Sequence, residues 1–301
     1  MFHSLNELVE AARGRGRVRI AVAAGHDPDV IAALKEAASL RLAESILVGD
    51  GRKIRAMGRE VGFEIPESQI IEEADAAAAA KRAIALVRDR NADLLMKGKI
   101  GTATLIRAVL DKETGLRGER LLSQVIVFQV PGLNRLMIMS DAAINIAPNL
   151  EQKAEICRNA IHVAHAIGIE KPNLAALCAL ETVNSDMPAT VDAAALCAMN
   201  RRGQLPDCYI EGPLALDAAL SKFAAERKKI SSPIVENTDI FLAPDIEAAN
   251  ILYRALVYFA RAESGGIVLG ARVPLVLLSR AETPKTKLHS IAIGILAAAA
   301  G

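Results

Sequence analysis

The sequence predicts an α/β fold built from two domains, each with a mostly parallel sheet. Short runs rich in aliphatic and β-branched residues alternate with longer helical patterns along the chain, an order typical of βαβ units. No low-complexity linker interrupts this alternation, and 301 residues are enough for two domains. One hairpin pattern stands near the middle, between the two series of strands and helices.

The first series alternates strands with helices. RVRIAVAAG predicts a strand and a turn, and DPDVIAALKEAASLRL predicts the helix that follows. ESILVGD predicts the next strand, ADAAAAAKRAIALVRDR an alanine-rich helix, and ADLLMKG a further strand that ends in a turn. Strands connected in this way by helices are expected to run parallel.

The middle of the chain predicts an antiparallel pair and then a well-capped helix. In SQVIVFQVPGLNRLMIMSDAA, two strand-like runs flank the turn sequence PGLN. Asn149 is a favourable N-cap, and Gln152 stands three residues later in the capping-box position. The helix is expected to stop at Gly168.

The second series completes the predicted architecture. Strands and helices alternate in the order PNLAALCAL, ATVDAAALCAM, DCYIEG, LALDAALSKFAAE, TDIFLAP, DIEAANILYRALVYFARA and GGIVLGA. A last strand and helix follow from Val273 and are expected to return to the first domain. The predicted domains are residues 1–143 plus 272–301 (domain I) and residues 144–271 (domain II), and they are expected to flank a cleft.

Composition argues against several classes of partner. The net charge is +1, so no broad field attracts nucleic acid or an anionic membrane. Aromatic residues make up 3% of the chain and tryptophan is absent, which disfavours a base-stacking surface. The N-terminus lacks the apolar core of a signal peptide, and SIAIGILAAAAG is too short to span a bilayer. We expect a cytoplasmic protein whose partners are small molecules.

Four cysteines, Cys157, Cys178, Cys197 and Cys208, include no C-x-x-C pair. We expect them to act as small hydrophobic residues in a reducing compartment. Neither the cysteines nor the dispersed histidines have the spacing of a metal site, so no metal is predicted.

Polar residues follow the predicted strands, where ligands of open α/β sheets bind. These strand ends carry small hydrogen-bond donors and cations that suit phosphate or another anion. The residues are Lys97 and Gly98; Ser140, Asp141 and Asn145; Glu181, Thr182 and Asn184; Pro244 and Asp245; and Ser279 and Arg280.

Structural explanations compete with this interpretation. Lys97 and Lys99 suit a solvated turn, Ser279 and Arg280 suit a helix N-cap with a surface cation, and Asp141 can hold a turn with Asn145. MKGKIGTATLIR is not a P-loop, because its lysines precede the second glycine. No G-x-G-x-x-G follows a strand, and neither H-E-x-x-H nor G-x-S-x-G occurs. The residues alone predict an α/β protein that binds an anionic small molecule.

Six ordered blocks resemble a known family. They are LLMKGKIGTATLIRAVLDKETGLR, SDAAINIAPNLEQK, ETVNSDMPATVDAAAL, EGPLALDAAL, FLAPDIEAANILYRAL and VLLSRAET. The sequence is similar to the phosphate acetyl/butyryltransferases, above all to the butyryltransferase branch, from about Val18 to the C-terminus.

The resemblance implies two α/β/α domains flanking a cleft, as in isocitrate and isopropylmalate dehydrogenases, and a homodimer or larger homo-oligomer. It also implies transfer of a short-chain acyl group, butyryl or acetyl, between coenzyme A (CoA) and inorganic phosphate. Acyl-CoA is then a substrate, and neither a bound cofactor nor a metal is expected. Two alternatives stay open: a non-catalytic acyl-CoA-binding protein, or a different enzyme on the related dehydrogenase-like fold.

The same resemblance assigns roles to residues. Ser279 and Arg280 match a Ser-Arg pair of the family's active site, and Arg107 matches an arginine that contacts the substrate phosphate. Thr102 lies in the turn before Arg107. With these we group the strand-end candidates for substrate binding, which are Lys97, Gly98, Asp141, Asn145, Thr182 and Asn184.

One departure from the family pattern concerns the proton of the CoA thiol. The acetyltransferase branch has an aspartate six residues after the arginine, and Thr286 stands there in this chain. Threonine is no general base at neutral pH. Glu282 is the nearest carboxylate in sequence and is our candidate base. The remaining alternatives are reaction from the thiolate fraction in a cationic pocket, or acyl-CoA binding without catalysis.

The Arg280→Lys substitution tests whether the arginine binds phosphate through two donors. Lysine keeps the charge but loses the planar fork. We expect turnover to fall by about ten- to a thousandfold, the range for losing a well-placed donor, while the melting temperature stays nearly constant. Kinetics and thermal unfolding measured on the same preparation check this. A lysine variant with full activity would assign Arg280 to the surface.

Overall fold

The computed structural model describes residues 2–279 and 281–300, which fold into two compact units. The first unit comprises Leu5–Arg120 together with residues 265–300, as far as they are described. The second comprises residues 2–4 and Leu121–Ser264. Both contain alternating helices and strands, so the predicted α/β class is confirmed.

The first unit contains most elements of the N-terminal series and the last elements of the chain. In chain order they are α1 (Leu5–Arg13), β1 (Val18–Ala23), α2 (Pro28–Ser39), β2 (Ala43–Gly49), α3 (Gly51–Glu60), a 3₁₀ turn (Glu67–Gln69), β3 (Ile70–Glu72), α4 (Ala76–Arg88), β4 (Leu94–Lys97), α5 (Thr102–Val109), β10 (Glu263–Leu269), β11 (Leu275–Val276) and α11 (Pro284–Ala299). Its strands lie in the order β3-β2-β1-β4-β11-β10. All neighbouring pairs are parallel except β10 with β11.

The second unit is built in the same way. Its elements are β5 (Ser123–Gln129), β6 (Met137–Ser140), α6 (Leu150–Ala166), β7 (Asn173–Leu177), α7 (Pro188–Arg201), β8 (Tyr209–Leu214), α8 (Leu216–Leu220), α9 (Lys222–Arg227), β9 (Ile240–Leu242) and α10 (Ile246–Tyr258). The strand order is β5-β6-β9-β7-β8. Only β5 and β6 pair antiparallel, so the predicted hairpin around PGLN is confirmed.

Strand register decides which side chains can meet at the edge of the first unit's sheet. Ala23 of β1 lies opposite Lys97 of β4, and Val276 of β11 lies opposite Met96. Because β2, β1, β4 and β11 are parallel neighbours, their carboxyl ends meet at one edge. α11 packs against α1 and α2, which ties the end of the chain to its beginning.

The observed units divide the chain at 120/121 and 264/265, whereas the sequence analysis divided it at 143/144 and 271/272. Backbone pairing explains the difference. β5 pairs only with β6 inside its unit, and β6 pairs with β9. Residues 121–143 therefore group with the second unit. Residues 265–300 belong to the first unit as far as they are described.

Three further expectations concern the cysteines, membrane-spanning helices and metal ligands. All four cysteines are free, and burial raises the pKa of Cys197 and of Cys208 to about 11. No helix in the described part of the chain has the length and apolar character needed to cross a membrane. Within residues 2–279 and 281–300, no group of three or more His, Cys, Asp and Glu side chains could hold a metal ion.

The capping box predicted for α6 is present. The Asn149 side chain accepts the Gln152 N–H (2.9 Å), and the Gln152 side chain accepts the Asn149 N–H (3.0 Å). Both bonds satisfy N–H groups that the helix itself leaves open.

Asn149→Ala should therefore lower the free energy of unfolding by about 0.5–2 kcal/mol, because the helix loses one partner for its first turn. Urea unfolding followed by circular dichroism measures this loss. Asn91→Ala removes an exposed loop side chain and serves as the matched control. Equal stability of the two variants would contradict the capping role.

Candidate active site

The turn after β4 is built by backbone contacts with the turn after β1. The Gly98 N–H donates to the Ala23 carbonyl (2.9 Å), and the Lys99 N–H donates to the Ala24 carbonyl (2.8 Å). A Cβ atom on Gly98 would lie 2.2 Å from the Ala24 carbonyl oxygen. Only glycine allows this approach, which brings Lys97 and Gly98 to the sheet edge.

Helix α5 begins directly after this turn. Its N-cap is Gly101, which has no side chain to cap the first turn. The open N–H groups and the helix dipole make this end attractive to an anion. Thr102 is exposed in the first turn. Arg107 is also exposed but lies five residues later, about 140° around the helix axis from Thr102.

Ser279 lies at the same edge, three residues after β11 ends. Leu277 and Leu278 are buried and Ser279 is exposed. The Ser279 Oγ accepts the Ala281 N–H (3.3 Å), and its carbonyl accepts the Glu282 N–H (3.2 Å). Since β11 pairs with β4, this segment leaves the sheet about one strand spacing, roughly 5 Å, from Lys97. The prediction for Arg280 lies outside the described residues.

The N-cap of α11 is Thr283, so the helix-capping explanation for Ser279 is wrong. The Thr283 Oγ1 accepts the Thr286 N–H (3.2 Å) and lies 3.1 Å from the Thr286 hydroxyl. Thr286 thus takes part in capping at the position of the family aspartate. Glu282 is 7% exposed, and its carbonyl accepts the ammonium group of buried Lys287.

In the second unit, Asp141 organises the loop that follows β6. Its carboxylate accepts the N–H groups of Ala143 (3.0 Å), Ile144 (3.1 Å) and Asn145 (3.0 Å), and the Asn145 amide (2.6 Å). The Asn145 amide also donates to the Leu122 carbonyl (2.8 Å). Burial raises the pKa of Asp141, and these hydrogen bonds oppose the rise. The contacts favour the structural explanation given for this pair.

Thr182 and Asn184 follow β7 in a loop that is fixed by its own contacts. Thr182 is exposed. The Asn184 side chain accepts the Asp186 N–H (2.9 Å), and the Asn184 N–H donates to the Thr190 hydroxyl (2.9 Å). Lys228 binds Glu181 and Asp217 at 2.7 Å each and thereby joins this loop to α8. Asn184 is therefore committed to the loop, whereas Thr182 faces solvent.

The predicted residues thus form two groups. Lys97, Gly98, Thr102, Ser279 and Glu282 belong to the first unit and cluster around the carboxyl ends of β4 and β11. Asp141, Asn145, Thr182 and Asn184 belong to the second unit and follow β6 and β7.

Comparison with known proteins identifies the family. The model of the family described as Phosphate acetyl/butaryl transferase matches residues 75–295. The phosphate butyryltransferase of Clostridium acetobutylicum is 41% identical over 298 residues, which cover 99% of both chains. The phosphate acetyltransferase of Thermotoga maritima is 43% identical, and the match covers 96% of this chain and 98% of the relative. This chain belongs to the phosphate acetyl/butyryltransferase family.

Solved structures agree with this membership. The branched-chain phosphotransacylase of Enterococcus faecalis V583 superposes with a TM-score of 0.81 at 30% identity. The match covers 93% of this chain and 99% of that structure. The predicted resemblance is therefore confirmed, and it extends to the course of the backbone.

Two polar side chains at the edge of the first unit's sheet were not singled out in the sequence analysis. His26 follows β1, and Lys53 lies in the first turn of α3 after β2. Burial lowers the pKa of His26, and the charges of Lys53 and Lys99 lower it further. The signal available in the sequence was His26 itself, which stands between the turn that ends RVRIAVAAG and the helix that starts at DPD and was given no role.

Gly98→Ala should destabilise the first unit by about 1–3 kcal/mol, because the added methyl group overlaps the Ala24 carbonyl. Gly14→Ala is the matched control at an exposed turn position, where the nearest atom to a Cβ is the Ala11 carbonyl oxygen at 3.6 Å. We expect that control to change stability by less than about 0.5 kcal/mol. Urea midpoints compare the variants. If the Gly98→Ala protein were as stable as wild type, the turns after β1 and β4 could move apart at little cost, and their close contact would not require glycine.

Proposed function

We propose that this protein transfers a short-chain acyl group, butyryl or acetyl, between CoA and inorganic phosphate, and that its first-unit cluster binds the transferring group. The reaction is acyl-CoA plus phosphate to give acyl phosphate plus CoA. The supporting observation is the meeting of Lys97, Gly98, the open start of α5 and Ser279 at one sheet edge, in a chain whose residues 75–295 match the family.

The start of α5 and the neighbouring lysines suit an anionic phosphate. The first-turn N–H groups of α5 have no side-chain cap. Lys99 is exposed beside them. Backbone donors and cations in such an arrangement stabilise negative charge without having to reorganise.

Ser279 is placed to act on the reacting carbonyl or phosphate oxygen. Its Oγ already accepts the Ala281 N–H, so the hydroxyl proton can be donated to a substrate oxygen. With acyl phosphate and CoA as substrates, the sulfur forms a bond to the carbonyl carbon. The carbon–oxygen bond to phosphate then breaks, and phosphate leaves with the electron pair. The thiol proton must go to a base or to solvent.

Glu282 is the proposed base. It lies three residues after Ser279, and its N–H holds the Ser279 carbonyl. The Thr286 hydroxyl faces Thr283 at 3.1 Å and has no basic character. The missing aspartate is also the observation that favours the second candidate function, acyl-CoA binding without catalysis.

We also propose that the protein acts in the cytoplasm as a homodimer or larger homo-oligomer, with small-molecule substrates and no nucleic-acid or membrane partner. Large exposed apolar side chains on and after α10 support self-association. They are Ile251, Tyr258 and Phe259, which are 69%, 59% and 89% exposed.

Release of free thiol from butyryl-CoA in the presence of phosphate tests the proposed function. We expect release to require phosphate and to yield acyl phosphate, which hydroxylamine traps. The specificity constants for acetyl-CoA and butyryl-CoA should differ by a factor that corresponds to no more than about 1–3 kcal/mol for each methylene group between them. An apolar pocket discriminates between acyl chains no more strongly than this. Tight acyl-CoA binding with no phosphate-dependent release would favour the binding protein instead.

Glu282→Gln should reduce turnover by about a hundredfold or more if this carboxylate takes the thiol proton. Glu60→Gln removes an exposed carboxylate on α3 and is the control. If CoA reacts through its thiolate fraction, the Glu282 variant stays active and its rate climbs with pH toward the thiol pKa. A wild-type rate in that variant would exclude Glu282 as the base.

A further inference from the structure

His26 is a half-buried histidine with an unsatisfied ring nitrogen. Its Nδ1 is buried and has no hydrogen-bond partner among the described residues. The ring packs against the backbone of β2, where a Cβ on Gly49 would lie 3.0 Å from Nδ1. A buried polar atom without a partner is uncommon in native proteins and calls for an explanation.

The charges around His26 come from two lysines and two carboxylates. The charges of Lys53 and Lys99 lower the pKa of His26, and those of Asp50 and Asp27 raise it. Both carboxylates are engaged as N-caps: Asp27 accepts the Val30 N–H (3.1 Å) and Asp50 accepts the Lys53 N–H (3.1 Å). Their charge is therefore offset in part by the dipoles of α2 and α3.

The two ammonium groups keep donors available to a ligand. Lys53 Nζ binds Asp50 Oδ2 at 2.9 Å, but the Lys53 side chain is 61% exposed and an ammonium group has three donors. Lys99 is exposed in the turn after β4. The local field at His26 is positive on balance, since Lys53 and Lys99 each act on the ring more strongly than Asp50 or Asp27.

The position of this cluster relates it to Ser279. The strand order β2-β1-β4-β11 places His26 two strand spacings from the end of β11, about 10 Å, and Lys53 three spacings away, about 14 Å. CoA carries its diphosphate and 3′-phosphate at the nucleotide end, and the pantetheine arm separates them from the thiol. When the CoA thiol lies near Ser279, the pantetheine arm places the phosphate groups at a distance from Ser279 similar to that of His26 and Lys53.

We propose that His26, Lys53 and Lys99 form a binding site for the phosphate groups at the nucleotide end of CoA. This inference rests on the proposed function for the identity of the ligand. It assigns His26 and Lys53 to substrate affinity and gives them no part in the bond-breaking step.

The double variant His26→Gln/Lys53→Gln tests the site by calorimetric titration with CoA and leaves Lys99, which lies beside the proposed phosphate site, in place. We expect the dissociation constant to rise by about ten- to a hundredfold, as for the loss of charge-assisted contacts to phosphate. Lys81→Gln, which removes an exposed lysine on α4, should change it by less than about twofold. Thermal unfolding verifies that the variants are folded, and the single variants His26→Gln and Lys53→Gln decide the matter if the double variant is not.

Pantetheine has no phosphate, so it distinguishes the loss of this phosphate site from a general loss of activity. Wild type and double variant should acylate pantetheine at equal rates, whereas KM for CoA rises in the variant and kcat stays within about twofold. Equal losses with CoA and pantetheine, or an unchanged dissociation constant for CoA, would overturn the proposal. If 3′-dephospho-CoA abolishes the difference between the proteins, the site binds the 3′-phosphate; if the difference persists, it binds the diphosphate.

Direct measurement of CoA binding distinguishes a failure of the proposed acyl transfer from a failure of the proposed phosphate site. A wild-type protein that binds CoA but transfers no acyl group contradicts the proposed function, and the titration of the variant still decides this site. A wild-type protein that transfers the acyl group while the variant binds CoA normally contradicts only this site. Failure of the wild type to bind CoA contradicts both.

Discussion

The close approach of two backbone turns determines the geometry of the candidate site. Gly98 and Lys99 donate their N–H groups to Ala23 and Ala24, and this contact fixes where β4 ends and where α5 starts. The absence of a side chain at Gly98 makes the approach sterically feasible. Lys97, Lys99 and the open start of α5 take their positions from this one contact. Ser279 joins them through the pairing of β11 with β4.

Much of the architecture could be predicted because it depends on local patterns. The alternating strands and helices, the hairpin at PGLN and the capping box at Asn149 are each encoded within a few neighbouring residues. The division at 120/121 was not predicted, since it depends on which strands pair over long distances in the sequence. Pairing of β6 with β9 joins residues about a hundred positions apart, and no local pattern reports it.

The candidate site was predictable only in part, and for a similar reason. The family blocks point to Ser279, closeness in sequence points to Glu282, and strand ends point to Lys97 and Gly98, because these residues have a local signature. Asp141 and Asn145 have the same signature, yet their oxygen and nitrogen atoms are used to hold a loop. His26 was missed because its environment comes from three separate segments, and an unsatisfied ring nitrogen is visible only in three dimensions.

The return of the last strand to the first unit has a consequence for synthesis on the ribosome. β4 is paired with β1 early, but its other neighbour, β11, lies 180 residues later, from Leu95 to Leu275 (275 − 95). At typical elongation rates that interval lasts about 10–40 s. During that time Leu94, Leu95 and Met96 form an apolar strand with one unpaired edge, which is the kind of surface that invites wrong pairing. The nascent chain therefore leaves this edge of β4 open until β11 emerges and pairs with it.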